Sequence, residues 1–348
     1  MEHRRRGSLI AGLALLLAGG ASARAAAETP LLILGLSGGA YLSSVEGAPA
    51  EFFPEGRLSA VSSWRGRSAG GAILSLSAAS RLYGYWDAGA LLHDRENLAF
   101  EAQLPFGLFT ALLAAGVDGS ALGTVEEAPY AQPDWAIGLR TTGEPWRTEL
   151  RLKGSYLYRP EDAEDALHQG VRLELSYDPS IRWGLLSVLE AGWEYRPEVP
   201  ALIDAGRHDA VLRAEAGVQG LAGYFLDWNL AGCAGLRLSN TALTGEQSTW
   251  QAGGEGRLSW SPQRQIGLQL GGFLLYESWL ERQALSSGGV PSGLTLYVVS
   301  LGLDGRIDWT PDGRLFLTAE AGAARRLAND PAEQRWSLEA ALGIEYSF

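Results

Sequence analysis

The chain has 348 residues and one cysteine, and its 28 Lys and Arg against 40 Asp and Glu give a formal net charge of −12. That charge has the wrong sign for a nucleic-acid partner, and Cys233 alone allows no internal disulfide. Beyond the N-terminus no segment offers eighteen continuous apolar residues free of charge, so no transmembrane helix is expected.

Residues 1–27 carry three consecutive arginines, Arg4–Arg6, then an apolar run from Leu9 to Leu17 and small residues around Ala23–Ala27. This pattern predicts a cleaved secretory signal peptide, because the run is too short to span a bilayer. The mature chain is expected to start near Ala26 or Glu28 and to form one domain over 28–348. Strand one then starts within a few residues of the cleavage site, so no plug, periplasmic arm or passenger is expected.

Along the rest of the chain helical spacing is rare and alternation recurs. TELRLKGSYLY sets Leu150, Leu152, Gly154, Tyr156 and Tyr158 against Glu149, Arg151, Lys153 and Ser155. VRLELSY sets Val171, Leu173, Leu175 and Tyr177 against Arg172, Glu174 and Ser176. In YVVSLGLDGRIDW, Tyr297, Val299, Leu301, Leu303, Ile307 and Trp309 oppose Ser300, Asp304, Arg306 and Asp308. Such runs are longer than the five or six residues of an ordinary strand, and they match the nine to eleven needed to cross a bilayer at a tilt.

Short turn-forming joints rich in Pro, Gly, Asp and Ser fall at 65–71, 104–107, 141–145, 178–180, 219–223, 261–263 and 310–313. Eight longer polar stretches separate them, including VEGAPAEFFPEG, DAGALLHDREN, ESWLERQALSSGGVPSG and RLANDPAEQ. Seven short and eight long connections join sixteen strands, with fourteen as the alternative, and place both ends on the short-turn side. The expected fold is all-β: a transmembrane, antiparallel, up-and-down β-barrel. A propeller would need four short strands per repeat, and a soluble sandwich would leave one charged face per strand unexplained. Tryptophan placement agrees. Trp64, Trp146, Trp183, Trp260 and Trp309 adjoin short turns; Trp86, Trp135, Trp193, Trp250, Trp279 and Trp336 adjoin long loops; Trp228 alone reads as interior. Two aromatic belts suit the two interfaces of a bilayer.

The last strand, RWSLEAALGIEYSF, is apolar on one face to its final atom. Its Ile344, Tyr346 and Phe348 resemble the C-terminal assembly signal of bacterial outer-membrane β-barrel proteins of the porin-like, Gram-negative type. The resemblance implies an integral outer-membrane location. It also implies contact with membrane lipid and lipopolysaccharide, recognition by the barrel-assembly machinery, and the option of a homo-oligomer. The closing strand should pair with strand one near Leu31–Ser43, leaving no open edge in lipid.

The opposite phase carries the chemistry. The residues expected to line the lumen are Arg147, Glu149, Arg151, Lys153, Arg172, Glu174, Arg213, Glu215, Asp227, Arg237, Glu255, Arg257, Asp304, Arg306, Glu320 and Glu339. Their signs nearly balance, and charges of this number must face water or one another. Leu186, Val188, Phe273, Leu275 and Phe316 share the phase and read either as an apolar constriction or as a one-residue register slip. Two functions follow: a passive, weakly cation-preferring pore for small hydrophilic solutes, or a non-conducting structural or surface-binding barrel. A conduit for a hydrophobic substrate is a further alternative. No catalytic, cofactor or metal site is expected. His93, His168 and His208 lie in or beside predicted loops without a nucleophile partner, and EDAED (161–165) lacks calcium-loop spacing.

Overall fold

The computed structural model describes residues 26–27, 31–45, 51–68, 70–85, 91–121, 129–141, 143–159, 165–180, 182–196, 207–223, 225–240, 248–286 and 289–348. The expected signal peptide lies outside these residues except for Ala26 and Ala27, which pair with Arg67 and Gly66. Sixteen long strands follow. They are β1 (Leu31–Val45), β2 (Glu51–Arg67), β3 (Ile73–Tyr85), β4 (Leu91–Phe106), β5 (Phe109–Ser120), β6 (Tyr130–Thr141), β7 (Trp146–Leu157) and β8 (Ala166–Ser180). The second half is β9 (Trp183–Arg196), β10 (Arg207–Ala222), β11 (Leu226–Ser239), β12 (Thr249–Gln263), β13 (Ile266–Leu285), β14 (Pro291–Trp309), β15 (Leu315–Ala328) and β16 (Arg335–Ser347).

Each strand pairs antiparallel with its sequence neighbours, and β16 closes on β1 from Arg335 opposite Val45 to Ser347 opposite Ile33. Closure satisfies every strand edge internally, which a hydrocarbon environment demands. The count is sixteen rather than fourteen.

Four short turns contain a glycine at positive φ: Gly71, Gly107, Gly223 and Gly313. A side chain there would strain the left-handed backbone. The turn before β15 is also held by Asp312, whose carboxylate accepts the backbone N–H of Arg314 (2.9 Å) and Leu315 (2.7 Å). Those two donors hold its carboxyl below the usual range. The turn therefore keeps this contribution at neutral pH and loses it only as pH falls through that lowered value.

Several boundaries differ from the sequence reading. The turns expected at 104–107, 178–180 and 261–263 start later, because β4, β8 and β12 run through Pro105, Pro179 and Pro262. Pro179 and Pro262 sit where the ladder register shifts, so no N–H is missed there. The turn expected at 219–223 lies at Gly223–Phe225, so Trp228 is the third residue of β11 and joins the short-turn belt. ESWLERQALSSGGVPSG is mostly strand. A register shift between Ser278 and Gln283 absorbs extra residues and lets β13 and β14 extend to a tip near Gly289. RLANDPAEQ holds a 3-10 helix, Pro331–Glu333, with Asp330 as its N-cap and proline opening the turn.

Opposed residues in an antiparallel ladder share a face, so the pairings carry one face around the barrel without contradiction. One face is apolar and well exposed, with Leu36, Ile137, Leu152, Leu189, Leu303 and Leu342 among its large side chains. Ten tryptophans stand on it. Trp279 does not: it opposes Thr249, which opposes Arg237, so alternation along β13 puts it on the charged face and out of the aromatic belt. Trp86 lies outside the described residues.

Candidate functional site

All sixteen charged residues named above fall on the same face. Glu149 opposes Glu174, Glu190 opposes Arg213, and Glu215 opposes Cys233. The same row continues through Glu255 opposite Phe273, Arg306 opposite Glu320, and Gly322 opposite Glu339.

Half of them are in ion pairs. Glu149, only 6% exposed, takes Arg140 Nε at 2.6 Å on one oxygen and Arg151 on the other. Lys153 Nζ reaches Glu190 at 2.8 Å across β8. Gly170 is the β8 residue opposite Lys153 and leaves the room for this crossing. Arg172 pairs with Glu174 at 3.1 Å. Arg306 holds Asp308 at 2.8 Å and Glu320 at 2.7 Å.

A longer chain crosses β9, β10 and β11. Glu194 binds Arg196 (2.7 Å) and Arg237 (2.5 Å), Arg237 lies 3.2 Å from Asp209, and Asp209 accepts two bonds from Arg207. Asp209 is 1% exposed and Arg207 8%. At the long-loop end Glu333 gathers Arg282 (2.9 Å), Arg326 (3.3 Å) and Arg335 (3.8 Å). Asp330 is fixed beside it, accepting from the backbone N–H of Ala332 and Leu285, both at 3.0 Å.

Arg147, Arg213, Glu215, Asp227, Glu255, Arg257, Asp304 and Glu339 form no ion pair among the described residues. Asp227 and Arg257 line a recess of about 460 Å³ near the short turns, with Asp178, Gln219, Trp183 and Trp228.

Every ion pair found runs along the wall, within a strand or between strands at most two apart, or ties the Glu333 turn to the strands beside it. None spans the barrel among the described residues. Several Gly positions let carboxylates lie flat: a Cβ at Gly271 would meet Asp304, one at Gly322 would meet Glu339, and one at Gly116 would meet Asp134.

The sequence reading missed part of this face. Arg57, Arg65, Arg81 and Arg95 lie on it, as their pairings with Ser37, Ser75, Ser59 and Arg81 show. Asp118 also lies on it, taking Arg95 at 3.1 Å and the Tyr130 hydroxyl at 2.8 Å. The apolar residues Leu186, Val188, Phe273, Leu275 and Phe316 truly share the face, so the register-slip reading is overturned. Val188, Phe273 and Phe316 each oppose a glutamate, so they interrupt the charged lining without forming a continuous apolar path.

Ile344, Tyr346 and Phe348 close the wall. Ile344 opposes Leu36 and Tyr346 opposes Leu34, while the Phe348 N–H donates to Leu32 O at 3.0 Å. The rings of Tyr346 and Phe348 meet edge-on at 4.9 Å. His208 stacks against Trp193 and Tyr195 on the apolar face. EDAED lies outside the described residues except Asp165, which accepts the Tyr156 hydroxyl and the Arg159 N–H. Among the described residues no group of three or more His, Cys, Asp and Glu could hold a metal.

No family model and no curated protein sequence matches this chain. Solved structures match it in fold. OccAB3 of Acinetobacter baumannii is 9% identical with a TM-score of 0.53, over 92% of this chain and 99% of that one. OccD3 (OpdP) of Pseudomonas aeruginosa is 10% identical with a TM-score of 0.52, over 91% of each chain. A variant of OccD1 (OprD) is 10% identical with a TM-score of 0.51, over 94% of this chain and 97% of that one. At these identities the likeness is one of fold, the closed porin-type barrel. With large apolar side chains exposed around its wall, the chain is an integral outer-membrane barrel.

Proposed function

We propose that the charged face lines a water-filled lumen and that the protein is a passive diffusion pore for small hydrophilic solutes. The supporting observation is the direction of the ion pairs. A lumen filled by its own charges would pair them across the barrel, whereas these pairs follow the wall. The sixteen residues from Arg147 to Glu339 would then face the passing solute, half of them with their charge free for water. A sixteen-stranded barrel is wide enough for an aqueous channel. Proteoliposomes carrying the protein should swell in isotonic solutions of small uncharged sugars and stop swelling as sugar size rises. Swelling no faster than in protein-free vesicles would refute the reading.

The pore should prefer cations weakly. Charges on the lining nearly balance, so the bias falls to acidic residues of the long loops. Of those, Glu46, Glu126, Glu127, Glu161, Asp162 and Glu164 lie outside the described residues, and Glu51 and Glu55 stand in β2 rather than in a loop. Acidic residues at a mouth enrich cations over about 8–10 Å at ordinary salt. Reversal potentials across a salt gradient should show cation preference at low ionic strength and its loss near molar salt. Anion preference at low salt, or selectivity unchanged at molar salt, would contradict it.

A further inference from the structure

Opposite charges that come within reach on the charged face often pair, and Lys153 even crosses β8 to meet Glu190. Asp227 and Arg257 do not. Asp227 opposes Ser259 and Asn229 opposes Arg257, so the two charges are diagonal neighbours on β11 and β12. That places them about 7–8 Å apart along the sheet. Neither makes an ion pair or a side-chain hydrogen bond among the described residues. Asp178, Gln219, Asn229 and Ser259 line the same recess, and their side chains are unpartnered too.

The register sets these groups in order. Gly184 opposes Gln219, Gln219 opposes Asn229, and Asn229 opposes Arg257, which makes one row across β9–β12. Asp178 extends the row onto β8, because Gly184 leaves room for its carboxylate; a Cβ there would collide with it. From Asp178 to Arg257 the row covers four strand spacings, about 19 Å at about 4.8 Å each. A second row of Leu221, Asp227 and Ser259 lies about 7 Å nearer the short turns. Inside a closed barrel such rows are concave, and their side chains converge. The row between them, Trp183, Gly220 and Trp228, has the outward phase, so a ligand here is held by hydrogen bonds and not by ring stacking.

The chemistry of the six groups selects the ligand. Two carboxylates only accept, one guanidinium only donates, and two carboxamides and a hydroxyl do both. Two carboxylates against one guanidinium leave a formal charge of −1, which disfavours an anion. A small cation would meet one carboxylate at most, since Asp178 and Asp227 stand three strands apart, and would leave the carboxamides unused. A neutral chain of hydroxyls engages all of them. Each hydroxyl both donates and accepts, so neighbouring hydroxyls match a carboxamide, a carboxylate or a guanidinium in turn. The volume of the recess also falls in the range of small-molecule sites, about 300–1,000 Å³. We propose that the recess binds a neutral saccharide, a short oligosaccharide lying along the row from Asp178 to Arg257 at the short-turn mouth of the lumen. The inference rests on the open lumen proposed above, which gives the ligand access.

The test is titration of the purified barrel in detergent with maltotriose, L-lysine and L-glutamate, read by calorimetry and by saturation-transfer NMR. Maltotriose should bind in the millimolar range, and each amino acid at least about tenfold more weakly. Gln219→Ala and Asn229→Ala should each weaken maltotriose binding about fivefold or more, the scale of one hydrogen bond. Both side chains are exposed and unpartnered, so their loss costs the fold little, and heat-modifiable mobility on gels verifies it. Gln251→Ala removes a carboxamide of the same face farther from the short turns and should bind as wild type. No maltotriose binding by either method, an amino acid that binds as tightly, or a Gln251 variant weakened as much as the Gln219 variant would overturn the site. Vesicles that swell in sugar while the barrel binds no maltotriose would refute the site and leave the pore standing. Binding without swelling would support the site and refute the pore.

Discussion

Replacing Phe348 with aspartate, or deleting it, is expected to cut the yield of membrane-inserted barrel in cells several-fold while changing the stability of the refolded barrel little. Phe348 sits at the short-turn rim, where its N–H donates to Leu32 O and its ring meets Tyr346. A charge near a bilayer interface costs at most about 1 kcal/mol, against roughly 2–4 kcal/mol for a cation at the midplane. Lost stability alone therefore cannot remove most of the inserted protein. A large loss in cells would come from the assembly machinery, which we propose reads Ile344, Tyr346 and Phe348 on the closing strand. The proper control is deletion of Gly289 at the β13–β14 tip, far from the closing strand, where its N–H makes only a local turn bond to Ser286 O at 2.8 Å. RLANDPAEQ is unsuitable, because Asp330 and Glu333 anchor it to three arginines and a neighbouring strand end. Equal yields of heat-modifiable, membrane-inserted protein from the Phe348 and Gly289 variants would sink the idea.

The second large effect is expected at Asp209. Removing its carboxylate by Asp209→Ala leaves Arg207 buried without its two bonds and Arg237 with Glu194 alone. Breaking one partner out of a buried ion pair costs about 3–5 kcal/mol, because the remaining charge is left uncompensated. Glu320→Ala should cost no more than about 1 kcal/mol, since Glu320 is well exposed and Arg306 keeps Asp308. Urea unfolding of the refolded barrel, followed by tryptophan fluorescence, measures both. Similar midpoints for the two variants would show that the Arg207 side of the network is hydrated and not buried.

Much of the architecture was legible in the sequence because membrane strands separate two solvents. TELRLKGSYLY and RWSLEAALGIEYSF alternate leucine with charge, so their faces, their length and the final count follow from period alone. The signal weakens where both faces are small. SAVSSWRGR and ILSLSAASRL alternate alanine with serine, which differ little in polarity, and that is why Arg81 escaped the charged-face reading; Arg57, Arg65 and Arg95 escaped it because they stand at or within the stretches read as a loop or a turn, next to VEGAPAEFFPEG, in 65–71 and in DAGALLHDREN. Proline misled at the turns: Pro105, Pro179 and Pro262 end strands rather than occupy turns, and at Pro179 and Pro262 the missing N–H is harmless because the ladder register shifts there. The Glu333 cluster was unreadable for a different reason. Its arginines come from β13, β15 and β16, and only the folded register brings them to one carboxylate. The helix beneath it did leave a trace, since Asn-Asp-Pro followed by Glu has the form of an N-cap and first turn.

The claim on which most depends is that the charged face encloses water that solutes can cross. Single-channel recording of the purified protein in a planar bilayer tests it most directly. The account predicts discrete, long-lived open steps whose conductance grows nearly in proportion to salt. A correctly folded, heat-modifiable barrel that inserts and stays electrically silent at every salt concentration would contradict it and make the charged face the packing of a closed wall.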